Sequence, residues 1–306
     1  MSMSNGTSHH NPVRVLLWSL PRTLSTALLK SISQLDDTQI INEPYVTAYH
    51  MGPERVQALD QKIAEQSAKN LSMFMEAAKK IKVAFPKAFD HRKCSFNWVK
   101  SELEAEYGAK KLVFCKDMAY SVHGRYNSLP KGYRHTFIIR HPHKVFVSWK
   151  KMLRKMIPQK FNLDQLPTSD FPANYGYEEM YDLVEHVRNN GEPDPIIIDA
   201  DDLQEHPASI LSQYLDCVDV TYDNLEDLLE WDAGPSVMKS WKASNMFMLG
   251  NMTKDHGGFY EVAMKSTKFN PPSDLLSRDE LSDDILNCVD HSMPFYEKLY
   301  AMRIKP

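Results

Sequence analysis

The chain is poor in the residues and patterns that mark several large protein classes. Its four cysteines, Cys94, Cys115, Cys217 and Cys288, stand far apart and form no CxxC pair. That argues against a thiolate metal site or a redox motif, and sparse thiols in a long chain suit a reducing compartment. No apolar run approaches the ~20 residues that cross a bilayer. Residues Met1 to Pro12 are polar and lack the apolar centre of a secretory signal. A cytoplasmic protein is therefore expected, with Asn5-Gly6-Thr7 and Asn251-Met252-Thr253 as chance sequons. A charge excess is missing too. The 36 Lys and Arg against 40 Asp and Glu leave a net charge of −4, which points to neither nucleic acid nor an acidic membrane as partner. No internal repeat, low-complexity tract or carboxylate pair set aside for Mg²⁺ is visible. The ATP or GTP loop, with two glycines and a Gly-Lys-Ser/Thr ending, is also absent.

What is present is the composition of an ordinary globular protein, 42% hydrophobic and 25% charged over 306 residues. That length suits one large α/β domain or two small ones. We expect a disordered tail over 1–12 and a single domain over 13–306. Short apolar runs alternate with amphipathic stretches, the pattern of an α/β fold with a central parallel sheet flanked by helices. The strands are expected at Val13–Ser19, Thr38–Asn42, Lys111–Cys115, Thr136–Ile139 and Pro195–Ile198. Helices are expected from about Ser25 to Ile32, near 53–68, 71–80, 97–107, 143–156, 177–189 and 207–215, and over 282–302. Each strand runs straight into polar residues: Pro21-Arg22, Glu43-Pro44, Lys116-Asp117, Arg140-His141 and Asp199. Ligands of open α/β sheets bind at these carboxyl ends.

Two segments read as irregular. Residues 158–175, rich in Pro, Asp and Asn, suit a lid. Residues 231–270 are rich in Met and aromatics, including Met238, Trp241, Met246, Phe247, Met248, Met252, Phe259 and Tyr260. Such side chains either mould around a flat organic ligand or pack a loop-rich corner of the core.

Leu20-Pro21-Arg22-Thr23-Leu24-Ser25-Thr26 follows the first strand and opens a helix. A cation, several hydroxyls and free helix amides at one turn suit an anion. A second motif is Arg140-His141-Pro142 with Ser148 eight residues after the arginine. The arginine offers a planar fork to phosphate and the serine a further donor. Two such motifs suit a ligand with two separated phosphates.

These residues resemble the sulfotransferases that use 3′-phosphoadenosine 5′-phosphosulfate (PAPS). The first motif of that family has the sense Pro-Lys/Arg-Ser/Thr-Gly-Ser/Thr-Ser/Thr and is matched by Pro21 to Thr26, with Leu24 at the glycine. The second is matched by Arg140, Pro142 and Ser148. Lys116 stands where cytosolic members have the lysine of a Lys-Thr-His segment, and Ile198 to Pro207 resembles a later strand-to-helix segment of the family. The resemblance runs from about Val13 to Leu215. It implies a P-loop-type sulfotransferase fold and transfer of a sulfuryl group from PAPS to a hydroxyl or amine of a small molecule. The product would be 3′-phosphoadenosine 5′-phosphate (PAP), and no metal is expected.

The roles it implies are these. Arg22 stabilises the leaving oxygen. Thr23, Leu24, Ser25 and Thr26 form the 5′-phosphate loop, and Arg140 and Ser148 hold the 3′-phosphate. Lys116 lies near the sulfuryl oxygens. Lys265, Ser266 and Thr267, with Lys268, after Gly257-Gly258, are the candidates for a late loop closing on the nucleotide. The family's catalytic histidine falls on Met118, so another base is needed: Glu43 first, Asp117 second, with His123 and His50 as outsiders. Two other readings stay open, a P-loop kinase-like phosphotransferase and an inactive nucleotide-binding or interaction protein. A homodimer is also open.

Overall fold

The computed structural model describes residues 11–55, 79–155, 157, 159–168, 171–234, 236–252 and 260–306, with the backbone alone for 249–252. The helices expected over 53–68 and 71–80 fall almost wholly outside these residues, as do most of the N-terminal tail and Gly257-Gly258.

All six strands found among them are parallel and form one sheet. They are β1 (Val13–Ser19), β2 (Thr38–Asn42), β3 (Leu112–Met118), β4 (Arg134–Ile139), β5 (Ile196–Asp199) and β6 (Lys242–Ala243). Their order is β5-β4-β1-β3-β2-β6. The expected α/β class with a central parallel sheet is what is observed. β6, two residues long, is too short to leave a pattern in sequence.

Helices cover both faces, as parallel sheets require. They are α1 (Ser25–Ile32), α2 (Pro44–Met51), α3 (Phe96–Glu104), α4 (Pro142–Leu153), α5 (Tyr177–Asn189), α6 (Ala200–Glu205), α7 (Pro207–Cys217), α8 (Asn245–Met252), α9 (Glu261–Lys265) and α10 (Asp283–Ala301). Strand residues alternate between the faces. Leu16, Trp18, Ile41 and Cys115 pack with α3, α4, α5 and α10. Val15, Leu17, Ile40 and Phe114 pack with α1, α7 and the 231–269 region. Trp231, Met238, Trp241, Met248 and Phe269 are buried in that second core, so these five side chains pack the core.

One helix was missed and one expectation needs correction. Helix α2 was not foreseen, because Tyr45, Val46 and Thr47 are weak helix formers. A distant carboxylate starts it instead, since Asp117 accepts from the amides of Tyr45 (2.5 Å) and Val46 (3.0 Å). The described part of 158–175 is no overhanging lid. Leu163 and Phe171 are buried in the first core, and the Leu163 amide donates to Asp284 in α10 (2.7 Å).

Lys30, fully buried in α1, joins the C-terminal third to the sheet. Its ammonium donates to the carbonyls of Ala263 (3.1 Å), Met264 (3.4 Å) and Ser266 (2.9 Å). A cation at a helix C-terminus satisfies carbonyls that the helix leaves unpaired. Burial pushes this ammonium down to about 8, and Asp232 partly opposes the shift. Lys30→Met is expected to lose about 1.5–3 kcal/mol in urea unfolding, the range for bonds to charged donors, and to speed hydrogen exchange over 261–267. The folded value lies below the ordinary 10.5, so the wild-type margin should widen as pH rises from about 8 toward 10.5. Unaltered exchange over that segment would refute the anchoring role.

Candidate active site at the carboxyl edge of the sheet

The turn after β1 is held by unusual backbone geometry. Arg22 (φ 72°) and Leu24 (φ 62°) both lie in the left-handed region. L residues pay about 1–2 kcal/mol there, and glycine does not. Leu24 stands in a conformation that glycine takes without penalty. Its side chain packs against the second core. Its carbonyl accepts from the amides of Ala27 (2.9 Å) and Leu28 (3.1 Å), which starts α1. Leucine has no side-chain oxygen to cap that helix, so the amides of Ser25 and Thr26 are left for another acceptor. Thr23 turns its hydroxyl onto the Leu20 carbonyl (2.8 Å). Ser25 and Thr26 are buried in the first turn.

The second motif meets this turn. Arg22 Nε donates to Ser148 Oγ (2.9 Å) across 126 residues. Arg140 reaches the Arg22 carbonyl, Asp201 Oδ1 and Gln204 Oε1, each at 3.3 Å. Asp201 also accepts from Lys144 (2.8 Å). Burial first, and the charge of Arg140 second, lower the Arg22 pKa, while Tyr260 opposes them. Two guanidiniums held this close favour an anion between or beside them.

A second cluster lies at the ends of β2 and β3. Glu43 directly follows β2 with φ 54° and ψ 46°, and its amide donates to the Lys116 carbonyl (2.8 Å). The Lys116 ammonium bonds Glu43 Oε1, and the Tyr260 hydroxyl donates to Glu43 Oε2. Lys116 also lies 6.0 Å from the centre of the Tyr260 ring. The lysine is 0% exposed and the glutamate 6%, so each depends on the other for neutralisation. Burial and the Glu43 charge push the Tyr260 phenol well up.

The other expected site residues fall elsewhere. Asp117 accepts three amides, from Tyr45, Val46 and Met118. Burial pushes it up to about 7, Glu43 adds to the rise, and the amides oppose it. This is the arrangement of a helix cap, on the face opposite Lys116. Met118 Sδ accepts from Ser19 Oγ (3.3 Å). His50 meets Tyr120 (3.1 Å), and His123 sits exposed beside Asp182 (3.1 Å). Lys265 bonds Glu261 (2.7 Å), and Ser266 turns its hydroxyl onto Ala263 (2.7 Å). Thr267 accepts at its carbonyl from Trp231 (2.8 Å). These bonds anchor α9 and run to neither Arg22, Arg140 nor Ser148. Among the described residues, no group of three or more His, Cys, Asp or Glu is placed to hold a metal, and no helix is long and apolar enough to cross a membrane.

Tyr260 was not foreseen as part of the site, nor Lys30 as the anchor of the helix that follows it. Tyr260 stood out only as one aromatic among many, and no local pattern pairs it with a glutamate 217 residues earlier.

No family model matches the chain. It is 24% identical over 260 residues, 83% of its length, to the Arabidopsis thaliana branched-chain-amino-acid aminotransferase-like protein 2. The match covers 36% of that protein, so the chain spans about a third of the length of this curated relative. Among solved structures it is similar to a sulfotransferase domain from the curacin biosynthetic pathway, with a TM-score of 0.48 and 17% identity over 98% of this chain and 100% of that one. It is also similar to a sulfotransferase domain from the Synechococcus PCC 7002 olefin synthase (0.46, 14%, 92% and 95%). A third is a sulfotransferase from Alicyclobacillus acidocaldarius (0.46, 10%, 75% and 89%).

Leu24→Gly should leave stability within about 1 kcal/mol of wild type. Relief of the left-handed strain opposes the lost packing and the added chain entropy. A loss above about 3 kcal/mol by urea unfolding would show that the side chain, not the backbone, holds the turn.

Proposed function

We propose that the chain is a PAPS-dependent sulfotransferase acting on a hydroxyl or amine of a small-molecule acceptor. The observation that carries the reading is the hydrogen bond from Arg22 to Ser148, with Arg140 on the Arg22 carbonyl. It joins the two phosphate motifs at the carboxyl end of β1. The uncapped amides of α1 and the hydroxyls of Ser25 and Thr26 suit the 5′-phosphate. Arg140 and Ser148 suit the 3′-phosphate.

Bound PAPS would supply a sulfuryl group already joined to a good phosphate leaving group. Arg22 and Lys116 then supply fixed positive charge where the S–O bond to that phosphate breaks. Glu43 takes the acceptor proton as the acceptor oxygen bonds sulfur, and PAP departs. Lys116 and Tyr260 occupy the two Glu43 oxygens, so the acceptor hydroxyl takes the place of the Tyr260 hydroxyl on Oε2. Glu43 is preferred to Asp117 because three backbone amides already hold Asp117. Sulfuryl transfer of this kind needs positioning and charge rather than a metal.

Arg22→Ala is expected to lower turnover by about 10²–10³ with the fold intact by circular dichroism. The assay is PAPS turnover against alcohols, phenols, sugars and amines, with product mass measured. Near-normal turnover in that variant would defeat the assignment. Glu43→Gln should still gain melting temperature from 3′,5′-adenosine bisphosphate while losing turnover. The same thermal shift separates readings in the wild type, because a ligand stabilises only a fold that binds it. A selective rise with the bisphosphate supports this one, and a rise with ATP alone supports a phosphotransferase.

A further inference from the structure

Asn42 ends β2, one residue before Glu43, and is 1% exposed. Among the described residues, neither its amide nitrogen nor its amide oxygen has a hydrogen-bond partner. Buried polar side chains are paired in the large majority of cases, and an orphan costs about 1–3 kcal/mol. Strand geometry places it. Asn42 is in register with Lys116 on one side and Ala243 on the other. Ile40, two residues earlier, and Ala243 face the second core, so the Asn42 amide stands on that face beside Lys116. Trp241, one residue before β6 and 0% exposed, packs in the same core and also has an unpartnered indole N–H. Ring contacts run from Trp241 to Phe247 (6.4 Å) and from Phe247 to Tyr260 (4.6 Å), whose ring lies 6.0 Å from Lys116. Two orphaned polar groups thus occur on one sheet face, next to the Lys116–Glu43–Tyr260 cluster.

We propose that Asn42 is a specificity-determining residue that binds a second hydroxyl of the acceptor, adjacent to the hydroxyl that reacts at Glu43. Only the identity of that reacting hydroxyl rests on the sulfuryl-transfer reading. An amide unpaired at both ends calls for a group that both donates and accepts, and a hydroxyl does this with one atom. The occupant is neutral, because a carboxylate buried beside Glu43 would meet like charge. The acceptor class is therefore a vicinal diol or other polyhydroxy compound rather than a simple mono-alcohol. Access requires Tyr260 to leave Glu43, the same movement that admits the reacting hydroxyl.

Asn42→Leu keeps the side-chain bulk and removes both polar ends, so packing and recognition predict opposite results. Wild type and variant are compared with cyclohexane-1,2-diol against cyclohexanol, and catechol against phenol. Two readouts are used: kcat/KM with PAPS, and saturation-transfer NMR binding without nucleotide. The wild type should prefer the diols by about tenfold or more in at least one pair, since a site built for a hydroxyl rejects its absence. Asn42→Leu should melt higher than wild type, bind 3′,5′-adenosine bisphosphate as before, and bring the ratio close to one. Asn42→Ala, which removes the amide without filling its space, should lose the same ratio if the leucine variant fails to fold. A preference that survives either folded variant overturns the proposal, as does its absence from the wild type. A wild type that binds no bisphosphate instead overturns the sulfuryl-transfer reading, and the NMR ratio still judges Asn42.

Discussion

The buried pairing of Lys116 with Glu43 is the constraint on which the site is arranged. Neither group has water to solvate it, so neither tolerates loss of the other without a large electrostatic penalty. The pair ties the ends of β2 and β3 together where their hydrogen-bond ladder stops. Tyr260 brings the C-terminal third onto the same carboxylate, and Lys30 fixes the helix that follows Tyr260 to α1. Elements from three distant parts of the chain therefore converge on one glutamate.

Backbone strain is concentrated at the same edge. Arg22, Leu24 and Glu43 are three of six non-glycine residues with positive φ among the described residues. All three sit where a strand gives way to a helix. The packed sheet beneath, with β1 paired on both sides, sustains that strain.

The sheet and the two arginine motifs were legible because their signals are local. β1 and β2 have the bounds that their apolar runs suggest, and the polar residues after the strands stand at the carboxyl edge of the sheet. Helix α2 was not legible, because Asp117 starts it from a different strand. Leu24 looked out of place in sequence, and its strained left-handed backbone is one that glycine adopts without penalty. Tyr260 and Asn42 were hidden for a shared reason. What singles them out is a partner, or the lack of one, that only the completed sheet defines.

The bond from Arg22 to Ser148 spans 126 residues, and that from Tyr260 to Glu43 spans 217. Contacts of such separation are slow to form, because loop closure precedes any reward for it. The site therefore has no early, local precursor in folding. The turn after β1 comes first in the chain but meets Arg140 and Ser148 only once β4 and α4 are in place, and Glu43 meets Tyr260 later still. The candidate site is in this sense a late property of the folding chain, and a truncated chain that ends before Tyr260 would carry both arginine motifs without the third side of its carboxylate cluster.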